Sequence, residues 1–328
     1  MTPVTTPATT SAPTMPEPLS DLDRRLVAAL QCDGRLTAER AAEVLGLSVR
    51  AVHRRWSALL NDGTVRVLAA RPPDRSTGAM LLRIRVLRGR LDLITSALAE
   101  RDDIPFVDVS AGGDEISAVL LAGSEPDNRL VFQQLPATGS VTSVSAQTVL
   151  HVFSGAGDWR LDVLSRAERE ALTPGAAPAV RSRPADATDD ALIAALEEDG
   201  RLPAAAIAAR TGHPESTVRR RLAALFAQRR ITTQVVVDPR RLGLYVDANI
   251  AIEVPPDRLD ETGRALAAHP AVHGAMATTG TANLSVAVWL SDAEDLYRFL
   301  TRELAGRSIT RTETVLVGRA VKRPGIPR

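Results

Sequence analysis

Two stretches of the chain share one pattern: SVRAVHRRWSALL at residues 48–60 and PESTVRRRLAALF at residues 214–226. In the first stretch, Val52, Trp56 and Leu59 recur at intervals of four and three residues. That spacing is the period of one face of an α-helix. The arginines between them fall on the other faces. Both stretches therefore predict an amphipathic helix with basic residues on its polar side.

The two stretches belong to a longer internal repeat, which begins well before them. Asp-Gly-Arg-Leu occurs at residues 33–36 and again at residues 199–202, and in both copies a glycine follows twelve residues after the first one. Shared alanines and leucines are expected by chance in an alanine-rich chain, but this combination is not. The repeat indicates that one unit has been duplicated within a single polypeptide.

Each copy of the repeat predicts a helix-turn-helix. Thr37 supplies an N-cap for a helix that ends at Gly46, and Ser48 supplies the N-cap of the next helix, Val49–Leu60. The corresponding helix of the second copy is Ser216–Gln228. Two helices joined by a short turn containing glycine are typical of this motif, whose second helix enters the DNA major groove.

The polar faces of these two helices carry the side chains expected to contact double-stranded DNA. Arginine binds phosphate or pairs with guanine, and serine and threonine suit either kind of contact. Arg55 and Arg221 lie beside the apolar stripe, so we expect them to pair with acidic neighbours instead. A solvated basic surface is the alternative interpretation. The predicted DNA-binding residues are Ser48, Arg50, His53, Arg54, Ser216, Thr217, Arg219 and Arg220.

The segments that follow the two helical units predict the order strand, helix, strand, strand, helix, strand. This order is the ferredoxin-like split βαβ sandwich, so the fold class is α+β. The predicted organisation is a disordered tail (1–18), a helix-turn-helix unit (19–66), a hinge and sandwich (67–153), a linker (154–187), a second helix-turn-helix unit (188–232) and a second hinge and sandwich (233–328).

Composition narrows the function classes. The net charge of +1 means that any DNA-binding surface is a local patch. A single cysteine, Cys32, excludes an intramolecular disulfide, and together with the absence of an 18-residue apolar run it favours a cytoplasmic protein. Nucleotide-binding, acyl-transfer and zinc-hydrolase motifs are absent from the sequence, so we expect no cofactor and no metal.

The segment from Leu22 to Val65, with LGLS before the arginines and DGTV after them, resembles the Lrp/AsnC family of regulators. The stretch VVVDPRRLGL at 235–244 is similar to that family's hinge strand. The resemblance implies a transcriptional regulator whose sandwich domains dimerise and bind a small effector, often an amino acid. It also implies a homo-oligomer, and this chain looks like a tandem fusion of two family units.

The family resemblance also suggests where an effector would bind. In the family, a glycine between the second and third sandwich strands is usually followed three residues later by an aspartate near the effector pocket. Here Glu115 stands at that spacing from Gly112, and Asn283 from Gly280. Residues that only shape a turn are the alternative. The predicted effector-binding residues are Gly112, Asp114, Glu115, Gly280 and Asn283.

Two other functions fit the same layout. Siroheme decarboxylases resemble this family in fold and can be fused in tandem, and they need histidines and basic residues around their substrate. Only His269 and His273 lie close together in this sequence, and the first half has no counterpart to either. We therefore predict a regulator and not an enzyme, with a decarboxylase-like enzyme as the alternative. A scaffold that has lost DNA binding is a third possibility.

Overall fold

The structure, a computed structural model, describes residues 16–71, 78–87, 89–121, 130–175 and 186–324. Most of the predicted tail, residues 1–15, lies outside this set. Within these ranges no helix has the length and apolar character needed to span a membrane.

The first repeat folds into three helices and a strand, with its recognition helix running one residue past the predicted end, to Asn61. The hydroxyl of Thr37 accepts a hydrogen bond from the Arg40 amide, and that of Ser48 from the Ala51 amide. Gly46 ends the second helix in the left-handed region at φ 68°, which glycine adopts without a steric cost. The elements are α1 (Asp21–Cys32), α2 (Ala38–Leu45), α3 (Val49–Asn61) and β1 (Val65–Ala70).

The first sandwich follows in the predicted order of elements. Its second helix is described only from Leu130, where a π-helical turn (Leu130–Gln134) leads into one short α-helical turn. The elements are β2 (Ala79–Val86), α4 (Leu91–Ala99), β3 (Phe106–Ser110), β4 (Glu115–Leu121), α5 (Leu135–Ala137) and β5 (Val141–Ser154).

The second half repeats both modules after a further helix, α6 (Arg166–Leu172). Pro214, which occupies the position of Ser48, offers no side-chain cap to the second recognition helix. The elements are α7 (Ala187–Glu198), α8 (Ala204–Thr211), α9 (Glu215–Ala227), β6 (Thr232–Val237), β7 (Val246–Glu253), α10 (Leu259–Ala267), β8 (Val272–Thr278), β9 (Leu284–Leu290), α11 (Ala293–Arg298) and β10 (Arg311–Lys322).

The two sandwiches pair with each other within this one chain. Their strands form a closed barrel in the order β10-β3-β4-β2-β5-β8-β9-β7. Two long strands close it: β5 pairs with β2 and then with β8, and β10 pairs with β7 and then with β3. The sequence left open whether the sandwiches pair within or between chains. A two-stranded antiparallel sheet, β1 with β6, likewise joins the helical units.

Each barrel sheet has one apolar and one polar face. On β2, Leu82 and Ile84 are buried in a core that also contains Ile94 and Leu98 of α4. The alternate residues of a strand point to the opposite face, and on β2 one of these is Arg83. Helix α4 therefore covers the apolar face of β2, while Arg83 lies on the opposite face.

Residues 154–187 were predicted to be a linker, but part of this segment packs into the first helical unit. Trp159, Leu161, Leu164 and Leu172 are buried in the core of the first helical unit, and α6 forms within the segment. The large apolar side chains of this segment explain the difference, because burying them stabilises the fold. Residues 176–185 lie outside the described part.

Candidate DNA-binding surfaces and barrel pockets

The first recognition helix, α3, separates its apolar and basic residues as the sequence predicts. Val52, Trp56 and Leu59 are buried in the core of the first unit. Arg50, His53 and Arg54 are exposed, and the Ser48 hydroxyl caps the helix from an exposed position. Arg50 and Arg54 form no ion pair with another described residue, so their guanidinium groups are available to an anion.

The second recognition helix, α9, presents a chemically different surface. Ser216 and Arg220 are exposed and Thr217 is half-buried. The Arg219 guanidinium donates a hydrogen bond to Glu215, one helical turn earlier, at 2.5 Å. Because this carboxylate partly neutralises Arg219, we regard Arg220 as the stronger candidate for a phosphate contact.

The two arginines beside the apolar stripes have structural partners. Arg55 donates to both carboxylate oxygens of Asp23, at 2.9 and 3.0 Å. Arg221 donates to Asp186 at 2.7 Å and to Asp189 at 3.0 Å. These ion pairs tie each recognition helix to the start of its own unit and leave the outward arginines to act separately.

The repeated Asp-Gly-Arg-Leu motif joins the two helical units. Arg35 donates to the carbonyl oxygens of Gly200 (2.6 Å) and Leu202 (3.2 Å). In return, Arg201 donates to the carbonyl oxygens of Gly34 (2.6 Å) and Leu36 (3.0 Å). We call these four reciprocal hydrogen bonds the clasp. Burial lowers the pKa of both guanidinium groups.

The glycines of the motif are required by the close approach of the backbones at the clasp. A Cβ on Gly200 would lie 2.8 Å from the carbonyl carbon of Leu68 in β1. The Gly200 amide donates to the Val67 carbonyl oxygen at 2.7 Å, and the Arg201 guanidinium lies over the ring of Trp56, 5.3 Å from its centroid. In the sequence this motif indicates only a duplication, and its role as an interface between the two units is visible only in the structure.

A polar pocket of about 320 Å³ lies beside the turn at Gly112. It is lined by the predicted Gly112, Asp114 and Glu115, and by Arg83, Arg85 and Glu313, which the prediction missed. The alternation of arginines along β2 was the available signal, since such residues share a strand face. The structure thus brings three predicted effector residues together in one site.

Ion pairs organise this first pocket. Arg83 donates to Glu115 (Nε to Oε1, 2.9 Å) and to Glu313 of β10 (Nη2 to Oε1, 2.7 Å). The hydrogen bond to Glu313 raises the pKa of Arg83 most, and the hydrogen bond to Glu115 raises it further. Arg83 in turn lowers the pKa of Glu313. Glu115 is almost fully buried, whereas the Arg85 side chain is 61% exposed. Arg85 is therefore the cation that a ligand reaches most easily.

A second pocket, of about 330 Å³, lies beside Gly280 and is lined by Gln147, Glu253, Arg311 and Glu313. Gln147, from the first half, donates to the carbonyl oxygens of Thr279 (2.9 Å) and Ala282 (3.0 Å). The two pockets occupy equivalent places in the two halves, but they differ in charge arrangement. They are not two copies of one ligand site.

Asn283 has a structural partner and does not line the second pocket. Its Oδ1 accepts from the Val254 amide at 3.0 Å, and its Nδ2 donates to the Val254 carbonyl at 2.8 Å. Both polar atoms of the amide are thus used to join the turn to the end of β7. The turn-shaping alternative fits Asn283 better than direct contact with an effector.

The two neighbouring histidines do not line either pocket. The His269 Nδ1 accepts from the Ala271 amide at 3.1 Å, and the His273 ring stacks on Trp289 with centroids 3.9 Å apart. Among the residues that the structure describes, no group of three or more His, Cys, Asp or Glu side chains is placed to hold a metal ion.

Taken together, paired helix-turn-helix units on a barrel of paired ferredoxin-like sandwiches define a class of DNA-binding regulator with a small-molecule domain. The AsnC-type helix-turn-helix domain profile matches residues 19–60 and 186–225, and the Lrp/AsnC ligand binding domain profile matches residues 247–326. An uncharacterized HTH-type transcriptional regulator of Pyrococcus horikoshii is 31% identical over 145 residues, covering 44% of this chain and 91% of that protein.

AldR, an HTH-type transcriptional regulator of Mycolicibacterium smegmatis, is 30% identical over 44% of this chain and 88% of its own length. The chain belongs to the Lrp/AsnC family, and it is a DNA-binding transcriptional regulator of that type. Each relative spans less than half of this chain, in agreement with the duplication of one family unit.

Solved structures of one protein match nearly the whole chain. The siroheme decarboxylase NirDL superimposes with a TM-score of 0.60 at 14% identity, over 94% of each chain. At this identity the match establishes that the four-module arrangement is the same, and it is evidence of the fold alone. The relatives that match in sequence are transcriptional regulators.

Proposed function

We propose that one chain binds double-stranded DNA as a covalent pseudo-dimer in the cytoplasm, with α3 and α9 in successive major grooves. The observation that carries this proposal is the clasp, together with the pairing of β1 and β6. Because these contacts hold the two helical units together, the two recognition helices have a defined separation. Helix-turn-helix dimers read two half-sites whose spacing reflects such a separation.

The two half-sites differ in sequence under this proposal, because the exposed residues of the two helices differ. Arg50 of α3 corresponds to Ser216 of α9, and His53 corresponds to Arg219. An arginine pairs well with guanine in the major groove, whereas serine is a less selective contact. The proposed operator is therefore asymmetric, unlike the palindrome that two identical units would bind.

The test begins with selection of bound sites from random DNA, followed by affinity measurements over a salt series. We expect the double variant Arg54→Ala with Arg220→Ala to bind more weakly and to lower the salt slope by about one unit per lost phosphate contact. Arg264→Ala is the matched control, because this arginine is exposed on α10 of the barrel. A salt slope equal to that of the unmodified chain in the double variant would refute the assigned contacts.

We further propose that the pocket beside Gly112 binds the small-molecule effector. Arg85 is exposed there, and the carboxylates of Asp114, Glu115 and Glu313 also line the pocket, so the site offers both charges to a ligand. A zwitterion such as an amino acid would complement them. Thermal shift measurements against a panel of amino acids test this proposal, with Glu115→Gln expected to abolish the shift. If no amino acid raises the midpoint, the effector class is wrong.

Assembly of several chains into a homo-oligomer is also proposed, since the resemblance to the Lrp/AsnC family implies that the sandwich domains associate between chains as well. Sedimentation analysis checks it, and a single species with the mass of one chain would refute it.

Titration with siroheme-type tetrapyrroles checks the decarboxylase alternative. Tight stoichiometric binding of such a molecule would favour the enzyme over the regulator.

A further inference from the structure

A segment between the halves connects the barrel to the first helical unit. We call residues 155–173 the strap. It begins where β5 ends, and near its start the Trp159 indole Nε1 donates to the carbonyl oxygen of Pro270 at 2.8 Å. Further along, the Leu161 amide donates to Gln31 Oε1 in α1 at 2.9 Å. Trp159 and Leu161 are both buried in the core of the first unit.

The remainder of the strap is held to the same unit. Glu168 of α6 pairs with Arg25 of α1 at 2.5 Å, and Arg40 of α2 donates to the Ala171 carbonyl oxygen at 3.1 Å. The buried core of the second unit consists of its own residues and Ala69 of β1. Of the two helical units, the first is therefore the one whose core is tied to the barrel by this segment.

On its barrel side, the strap touches a buried group of ionisable side chains. Trp159 meets the edge of Trp289 in β9, with centroids 4.9 Å apart. The Trp289 indole Nε1 donates to Asp247 Oδ2 at 3.0 Å, and the His273 ring stacks on its other side. Trp289 thus lies between the strap and the Asp247 carboxylate, which also accepts a hydrogen bond from Arg323.

Arg323 completes this group by joining the two halves of the barrel. Its guanidinium donates to Asp247 Oδ2 in β7 at 2.7 Å and to Asp108 Oδ1 in β3 at 2.9 Å. The His273 Nε2 lies 3.7 Å from Asp247 Oδ1. We call Asp108, Asp247, His273 and Arg323 the barrel cluster. The charged groups that face Asp108 are the guanidinium of Arg323, which binds it directly, and the carboxylate of Asp247, which lies on the far side of that guanidinium.

The barrel cluster holds two carboxylates against one guanidinium in a buried place. Burial, offset by Arg323 and reinforced by Asp247, raises the pKa of Asp108 to about 6. Burial also lowers the pKa of His273. When Asp108 takes up a proton, Arg323 loses one of its anionic partners and is drawn toward Asp247, the residue that also positions Trp289.

We propose that the strap makes the first DNA-binding unit, and not the second, responsive to the protonation state of the barrel cluster. The route runs from Asp108 through Arg323 and Asp247 to the indole of Trp289, and from there through Trp159 to α1. A mild fall in pH weakens the seating of Trp159, and so the docking of the first unit. The DNA-binding consequence rests on the proposed function.

The route is tested first without DNA, because the chain has three tryptophans and each gives one indole N–H resonance. We expect the Trp159 and Trp289 resonances to move together with a midpoint near pH 6, while the Trp56 resonance stays in place. Asp108→Asn keeps an acceptor for Arg323 and removes the titration, so both shifts should vanish. Asp102→Asn is the matched control, because this exposed aspartate lies in the turn that precedes β3.

Three outcomes would overturn the route: no resonance titrates, Trp289 titrates without Trp159, or Asp108→Asn titrates like the unmodified chain. Trp159→Phe supplies an independent check. It keeps an aromatic ring, removes the bond to Pro270, and should leave the Trp289 titration intact while abolishing any response at the Leu161 amide. A persisting Leu161 response would also overturn it.

The consequence for DNA binding is tested by measuring affinity for each half-site on a separate duplex. Affinity for the half-site of α3 should fall at least about fivefold between pH 7.5 and 5.5 relative to Asp108→Asn, a typical size for coupling between sites. Affinity for the half-site of α9 should not differ between the two proteins. Equal responses at both half-sites would refute the inference, whereas failure to bind any DNA would refute the proposed function and leave the spectroscopic result standing.

Discussion

The clasp makes a quantitative prediction about how DNA affinity depends on holding the two units together. Each of Arg35 and Arg201 donates two hydrogen bonds from a charged group to backbone carbonyls of the other unit. A hydrogen bond to a charged group contributes about 1.5–3 kcal/mol. Since both side chains are only partly buried, we assign about 2 kcal/mol to each arginine, less than the about 3 kcal/mol that two such bonds would give at the low end of this range.

The perturbation is the double variant Arg35→Ala with Arg201→Ala. It weakens the contact between the helical units by about 4 kcal/mol in total, and the pairing of β1 with β6 remains. Because a tenfold change in affinity corresponds to about 1.4 kcal/mol, even partial transmission of this loss lowers affinity for a two-half-site operator at least about tenfold. Affinity for a single half-site should change less than about twofold, since the recognition helices keep their own cores.

Fluorescence anisotropy with labelled duplexes measures both affinities. Arg210→Ala is a suitable control, because this exposed arginine pairs with Glu198 within the second unit. Unchanged affinity for the two-half-site operator would refute the idea that the clasp positions the helices. Equal losses on both duplexes would instead show that the variant damages the recognition surface itself.

Three further predictions concern stability. Gly200→Ala should lower the free energy of unfolding by about 1–3 kcal/mol, because its Cβ would lie 2.8 Å from the Leu68 carbonyl carbon; Gly139→Ala, with open space around it, should be neutral in the same urea titration. Asp108 has a folded pKa of about 6, above its unfolded value of about 3.9, so its contribution to stability is complete below the unfolded value and is lost as pH rises through 6. Relative to Asp108→Asn, the unmodified chain should lose up to about 3 kcal/mol between pH 3 and pH 7, and parallel stability curves would contradict this. Leu172→Ala should destabilise the first unit by about 2–4 kcal/mol, read from hydrogen exchange in α1, and no change there would mean that the strap is dispensable.

Much of the DNA-binding part was predictable because its determinants are local. Thr37 and Ser48 cap their helices through bonds to amides three residues ahead, and a cap of this kind depends on few other parts of the chain. The sequence predicted that Arg55 would pair with an acidic side chain, since a charged residue beside an apolar stripe needs an opposite charge nearby, but it did not identify Asp23 as that partner.

The barrel pockets were predicted only in part, because their residues come from distant segments. Gly112 and Glu115 were predicted from the family resemblance, in which an acidic residue follows a glycine of this turn by three positions. Arg83 acquires its role from Glu313, which lies on a strand of the other half. Asn283, expected near the effector, instead binds the backbone of Val254. These two residues are distant in sequence, so no local pattern predicts their contact.

By itself, the sequence determined that this protein contains two helix-turn-helix units and two sandwiches, because repeats, caps and the periods of helices and strands are properties of neighbouring residues. The tertiary structure alone decided how these modules assemble. Closure of the barrel within one chain, the exchange of Arg35 and Arg201, and the burial of Trp159 all depend on surfaces that meet only after folding. These are pairings between residues far apart in sequence, so their energies cannot be assigned until the chain has brought them into contact.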